Sequence, residues 1–354
     1  MKTLRLIIDS DRLDDSESQN AIARAADVLR RGGLVALPTE TVYGLGANAL
    51  DPAAVARIFS AKQRPAWDPI IVHIAGPVAT NAMLGKLITD FPEPAARLAA
   101  AFWPGPLTLL LRRSAAVPDA VTAGRPLVGV RMPAHPVALE LIRQSGVPVA
   151  APSANLFGHT SPTTAEHVLQ DLDGHIDCIL DTGPTQHGVE STVLDPNQSP
   201  MMIYRPGAIT ADQIRAVAGS VELFRQDELR VSTGQEALPS PGVGIRHYAP
   251  KARLILIEGS LAELPAKISE EFAKQSCGRV GILLPAELSG AAPQGVTVFQ
   301  WGEWNHTEQL AHNLYAALRS LDAQHCSVIL CPLPPADGIG IAIRDRLMKA
   351  ARPD

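Results

Sequence analysis

Aromatic residues make up only 4% of the 354 in this chain. Single-stranded nucleic acid is usually gripped on rings that stack against bases, and few rings are available here. Positive charge is not in excess either: 31 Lys and Arg stand against 36 Asp and Glu, a formal net charge of −5. A general nucleic-acid binder is basic overall, so that class is disfavoured, although a local basic pocket remains open. No apolar run reaches the roughly 18 residues of a membrane span, so none is expected. The opening MKTLRLIIDSDRLDD has too short an apolar run and too many acids for a signal peptide. Cys178, Cys277, Cys326 and Cys331 lack zinc-finger or CxxC spacing and read as reduced thiols of a cytoplasmic protein. No HExxH motif or His/Asp cluster occurs, so no built-in metal site is expected.

What is present is the composition of a folded chain, 46% hydrophobic and 19% charged, long enough for two domains. Short apolar strands alternate with amphipathic helices through the first two-thirds. Gln19 to Arg31 reads as a helix stopped by Gly32 and Gly33, and Asp51 caps a helix carrying Pro52 in its first turn. LVALP, IIVHI, LTLLL, LVGVR, VPVAA, CILDT, STVLD and MMIYR read as strands, with helices near 94–102, 136–145, 163–171 and 210–218. This rhythm predicts an α/β domain with both sheet faces covered. Residues 219–250 break it with weak periodicity and a Pro/Gly cluster, too long a stretch for a routine connection. Beyond it the pattern restarts as a smaller, doubly wound α/β domain. The expected division is 1–222, a linker over 223–250, and 251–354.

In open α/β sheets, ligands bind beyond the carboxyl ends of strands. LVALP leads into Thr39, Glu40, Thr41 and Tyr43; IIVHI carries His73; LVGVR ends in Arg131; VPVAAP runs into Ser153 and Asn155; MMIYR ends in Arg205. Lys62 falls on the apolar face of its helix, three, four and seven residues after Phe59, Ile58 and Val55. Its ordinary role would be to complement the helix dipole. Arg64 precedes Pro65 and is pushed into extended geometry, so the pair is expected to project two cations from a fixed corner toward a polyanion. His73 shares a strand face with Ile71, where a core histidine is the plain alternative. A buried Arg131 requires a carboxylate or phosphate partner. Ser153 and Asn155 could simply form a turn.

Two motifs fail. GIGIAI lacks the third glycine of a dinucleotide fingerprint and reads as close helix packing, and no GxxxxGK[ST] loop occurs. PTETVYGLG, the K-x-R at Lys62 and Arg64, PSAN, GVESTV and YRPG, taken in order, resemble the YrdC-like threonylcarbamoyl-AMP synthases. SPGVGIRHYAP and GIGIAIRDRLMKAA are similar to the linker and closing helix of the long, two-domain form. The resemblance implies a YrdC-like twisted open sheet with helices on its faces, followed by a smaller Rossmann-like parallel-sheet domain. It also implies an enzyme, a nucleotidyltransferase condensing L-threonine, bicarbonate and ATP into threonylcarbamoyl-adenylate with release of pyrophosphate. A downstream tRNA threonylcarbamoyl-transfer enzyme would use the product, and any direct contact with tRNA is expected to be weak.

Carried over by motif, Lys62 and Arg64 would face the ATP phosphates and the carbamate. Thr41, His73, Arg131, Ala151 and Ser191 would surround threonine. Asp68, Ser153, Asn155, Ser161, Arg205 and Tyr248 would belong to the nucleotide side. Mg²⁺ would arrive with ATP, and no organic cofactor is implied. Asp68 stands where the family often has Asn or His, and Val243 replaces a common Met. His247 and Tyr248 are expected to close over the pocket as a lid, because a mixed adenylate hydrolyses readily. The rival readings are a non-catalytic RNA-binding YrdC-like protein and a carbamoyl-transfer enzyme of hydrogenase maturation. The latter's zinc-binding cysteine clusters are missing.

Overall fold

The computed structural model describes residues 2–225, 240, 242–243, 247–275 and 278–353. Of the expected linker, 226–239, 241 and 244–246 lie outside the described residues, as does Cys277. The chain divides into two units. The first comprises Met1–Phe157, Pro162–Gln186 and Glu190–Gly244; the second comprises Gly158–Ser161, His187–Val189 and Ile245–Asp354.

In the first unit, β1 (Leu4–Ile7) leads into α1 (Ser16–Arg30), β2 (Val35–Leu37), β3 (Gly44–Asn48) and α2 (Pro52–Lys62). Next come β4 (Ile71–His73), α3 (Ala82–Leu87), α4 (Glu93–Phe102), β5 (Leu107–Arg112) and α5 (Asp119–Thr122). β6 (Leu127–Arg131), α6 (Pro136–Ser145), β7 (Val149–Ala150), α7 (Ala165–Leu172) and β8 (Cys178–Asp181) follow. β9 (Thr192–Asp195), β10 (Met201–Arg205), α8 (Ala211–Ala218) and β11 (Val221–Leu223) end the series. These strands form one mixed, twisted sheet in the order β1-β8-β2-β3-β7-β4-β6-β5-β9-β10-β11.

Local chemistry sets the helix starts. The Asp51 carboxylate accepts from the Ala53 amide at 2.9 Å with Pro52 in the first turn, as the sequence predicts. Asp15 does the same for Ser18 at 2.7 Å, so α1 begins at Ser16, earlier than its apolar periodicity indicates. β1 carries no strand signal, because only Leu6 of its four residues is buried. Parallel pairing with β8, far along the chain, holds it. β11 extends the sheet to Leu223 by pairing with β10.

Each sheet face has its own core. Helices α2, α4, α7 and α8 contribute Val55, Leu98, Val168 and Ile214 to one. Helices α1 and α6 cover the other with Ile22, Leu29, Leu141 and Ile142, packed on Val35, Leu37, Val149 and Leu180. Farther along this second face a small separate cluster, Ile71, Leu110 and Val193, lies over β4, β5 and β9.

In the second unit, β12 (Arg253–Ile257), α9 (Leu264–Ala273), β13 (Val280–Pro285), β14 (Thr297–Gly302), α10 (Thr307–Ala323), β15 (Val328–Pro332) and α11 (Gly340–Ala350) follow in order. The four strands are all parallel, ordered β12-β15-β13-β14. A Cβ on Gly340 would stand 2.1 Å from the Pro335 carbonyl, so the GIGIAI glycine serves close packing. Among the described residues no helix is long and apolar enough to cross a membrane.

Candidate active site

Strand register gathers the candidate residues. His73 on β4 is the partner of Arg131 on β6, and across β7 it is the partner of Val149. Val149 belongs to the core beneath α1 and α6, so His73 and Arg131 point to that same face. β5 places Leu110 beside Gly129 and Thr108 beside Val193. Ser191, two residues before Val193, joins the face, and its Oγ lies 2.8 Å from Thr108 Oγ1.

Arg205 reaches this face through an irregularity. Ile203 pairs with Leu194, yet Arg205 pairs with Val193, so two residues of β10 oppose one of β9. Such a bulge re-aims the following side chain. Arg205 therefore turns to the Val193 side, donating from Nε to the Ser191 carbonyl at 3.1 Å and from a terminal nitrogen to Ser191 Oγ at 3.0 Å. Gly207 lies against the same backbone, where a Cβ would come within 2.3 Å of the Thr192 nitrogen.

Arg131 is 4% exposed and has the carboxylate partner that its burial requires. It donates to Glu40 Oε1 at 2.6 Å, to Thr41 Oγ1 at 3.0 Å and through Nε to the Gly105 carbonyl at 3.2 Å. The second Glu40 oxygen accepts from the Ala134 amide at 3.0 Å. Burial pushes the Glu40 carboxyl up, but the charge and hydrogen bond of Arg131 outweigh it and hold the group below its ordinary value. Glu40 joins the candidate site through Arg131, and the sequence alone gives it no role. The signal was the need of Arg131 for an anion, and the acid stood beside Thr41.

Burial, reinforced by Arg131, depresses the His73 imidazole to about 3, so it is neutral at physiological pH. Its Nδ1 is buried without a hydrogen-bond partner.

Lys62 and Arg64 are buried, 1% and 8% exposed. They do not project outward as expected. Gln63 adopts a left-handed conformation at φ 52°, closing α2. Lys62 Nζ donates to the carbonyls of Ser153 at 2.6 Å and Asn155 at 2.5 Å. Those carbonyls carry no formal charge; burial, with Arg64 nearby, draws the amine well below its ordinary value. Arg64 folds back on its own loop, donating to the carbonyls of Asp68 and Pro69 at 3.1 and 2.7 Å. It also pairs with Asp68 Oδ2 at 2.9 Å. Burial raises the Asp68 carboxyl above its ordinary value, and the charges of Arg64, Lys62 and Arg205 act against that rise.

Ala151 continues from β7, its amide donating to the Ile71 carbonyl at 2.9 Å. The structure thus brings Thr41, Arg131 and His73 into one group, Ser191 and Arg205 into a second, and Lys62, Ser153 and Asn155 into a third, with Arg64 and Asp68 beside it. Ser161 and Tyr248 belong to the second unit. A cleft of about 830 Å³ opens past the carboxyl ends of β4 and β6, walled by Ala75, Trp103, Pro104, Met132, Leu139 and Arg143. It holds none of the candidate residues. Among the described residues, no three metal-ligating side chains cluster.

Residues 27–207 match the protein-family model described as "Telomere recombination", which joins the Sua5, YciO and YrdC proteins. Residues 209–352 match "Threonylcarbamoyl-AMP synthase, C-terminal domain". The threonylcarbamoyl-AMP synthase of Bacillus subtilis is 46% identical over 99% of this chain and 98% of its own. That of Pyrococcus abyssi is 44% identical over 92% and 93%. The solved structure of P. abyssi Sua5 complexed with L-threonine superposes with a TM-score of 0.84 at 40% identity, covering 99% of this chain and 98% of that one. The chain belongs to the threonylcarbamoyl-AMP synthase family, in its two-domain form.

Proposed function

We propose that this protein condenses L-threonine, bicarbonate and ATP into L-threonylcarbamoyladenylate, releasing pyrophosphate. The observation that carries this reading is full-length similarity to proteins of that name, with four cations buried in the first unit. In the reaction the threonine amine adds to bicarbonate with loss of water. A carbamate oxygen then attacks the α-phosphorus, and the bond to pyrophosphate breaks. Every reactant is an anion at some stage, so catalysis rests on fixed positive charge and orientation.

Arg131 suits the threonine carboxylate. Three of the five N–H donors of its guanidinium are engaged, and one on each terminal nitrogen remains. Thr41, His73, Ala151 and Ser191 would complete the amino-acid side. Lys62 and Arg64 would meet the phosphates and the carbamate, with Asp68, Ser153, Asn155 and Arg205 on the nucleotide side. Ser191 and Arg205 are bonded to each other, so the two substrates would share that pair. Mg²⁺ would enter with ATP, held chiefly by phosphate oxygens and water. The product would pass to an enzyme that transfers the threonylcarbamoyl group to tRNA.

A non-catalytic RNA grip needs exposed cations. Lys62, Arg64, Arg131 and Arg205 are each at most 8% exposed, which disfavours it. The test is mass detection of the adenylate together with pyrophosphate release from the purified chain. Lys62→Ala and Arg131→Ala should each abolish threonine-dependent release while the protein stays folded. Wild-type rates in either variant would refute the assignment of the site.

A further inference from the structure

The turn after α2 leaves one buried charge half satisfied. Asp68 is 1% exposed and its Oδ2 pairs with Arg64, but Oδ1 is buried with no hydrogen-bond donor. Buried carboxylate oxygens are rarely left so, because the desolvated acceptor gains nothing in return. The surroundings sharpen the problem: Arg64 pairs with this carboxylate, and the charges of Lys62 and Arg205 also act on it. Those are the side chains that a polyphosphate would need. A bare carboxylate among them repels the ligand they attract. A hydroxyl or amide donor from a substrate would satisfy Oδ1 and leave that repulsion in place, whereas a divalent cation removes both faults. Mg²⁺ is commonly held by one or two carboxylates plus phosphate oxygens and water, and a lone aspartate is enough for that pattern.

Resting on the function proposed above, we propose that Asp68 directly coordinates, through Oδ1, the divalent cation that accompanies ATP. Burial raises the Asp68 carboxyl above its ordinary range, so a proton would compete with the metal for the same oxygen.

The test is equilibrium binding of ATP to the full chain, with EDTA and with excess Mg²⁺, for wild type and Asp68→Asn. Mg²⁺ should tighten wild-type binding about tenfold or more. In the variant that enhancement should fall below about twofold, while metal-free ATP binds several-fold tighter because a repelling charge is gone. A merely structural aspartate would instead weaken both measurements together, and a ligand to ribose or base would leave the Mg²⁺ enhancement intact; either result overturns the inference. Should the variant fail to fold, anomalous scattering from Mn²⁺ in wild-type crystals with Mn²⁺ and ATP decides. A metal within about 2.5 Å of Oδ1 supports the assignment, and one farther than about 3 Å ends it. Absence of pyrophosphate release from the wild type would refute the function itself. Release with an unchanged Mg²⁺ enhancement in Asp68→Asn would refute only the metal ligand.

Discussion

His73 should make the first unit sensitive to mild acid. In the native chain its imidazole is depressed to about 3, against an ordinary value of 6.5. The unfolded chain therefore takes up this proton first. The stability contributed by keeping His73 neutral is fully present above 6.5 and is lost as pH falls toward 3. Between pH 7 and pH 5 the loss from this one group is about 2 kcal/mol. His135, half-buried at the start of α6 and depressed to about 4 by that desolvation, adds a similar loss over the same interval. Glu40 does not confuse the measurement, since its lowered carboxyl titrates below 4.5. Urea-dependent hydrogen exchange of peptides covering β4 and β6 would read this unit separately from the second. His73→Asn should shed about 2 kcal/mol less than wild type on going from pH 7 to pH 5. Equal losses in the two proteins would show that His73 is not held neutral by its surroundings.

The Glu40–Arg131 pair gives a second test. Glu40→Ala leaves a buried guanidinium without its anion and should cost the first unit about 3–5 kcal/mol. Adding Arg131→Met should recover most of that loss in urea melts, and a double variant as unstable as the summed singles would contradict the pairing. Gly207→Ala should destabilise by about 1–3 kcal/mol, because its Cβ meets the Thr192 backbone nitrogen at 2.3 Å. An unchanged urea midpoint would mean that the loop gives way freely.

Much of this was legible in the sequence because burial patterns are local. LVGVR and IIVHI announce their strands, and the shared face of Gly129 and Arg131 follows from a period of two. The α2 cap was written in Asp51 and Pro52. What escaped was set across the chain. β1 has one buried residue and exists through β8. Arg205 faces Ser191 because of a bulge against β9, which no periodicity within MMIYR reveals. Arg64 turns inward because Gln63 takes a left-handed conformation, an uncommon choice for a residue with a side chain. Glu40 could be seen as polar but not as the partner of Arg131, since register and loop geometry decide that contact.

The partners of the buried cations also decide what a substrate must bring. Arg131 and Arg64 already face carboxylates, so an incoming anion joins a charge that is balanced and positioned. Lys62 differs, because its two acceptors are neutral carbonyls and among the described residues no carboxylate lies within ion-pair distance. Its burial draws protons away, and the arrival of an anion would restore its affinity for them. In the proposed reaction the carbamate and the triphosphate supply that anion. On that reading Lys62 would be the cation whose charge the substrates complete, with the Ser153 and Asn155 carbonyls holding the amine in place.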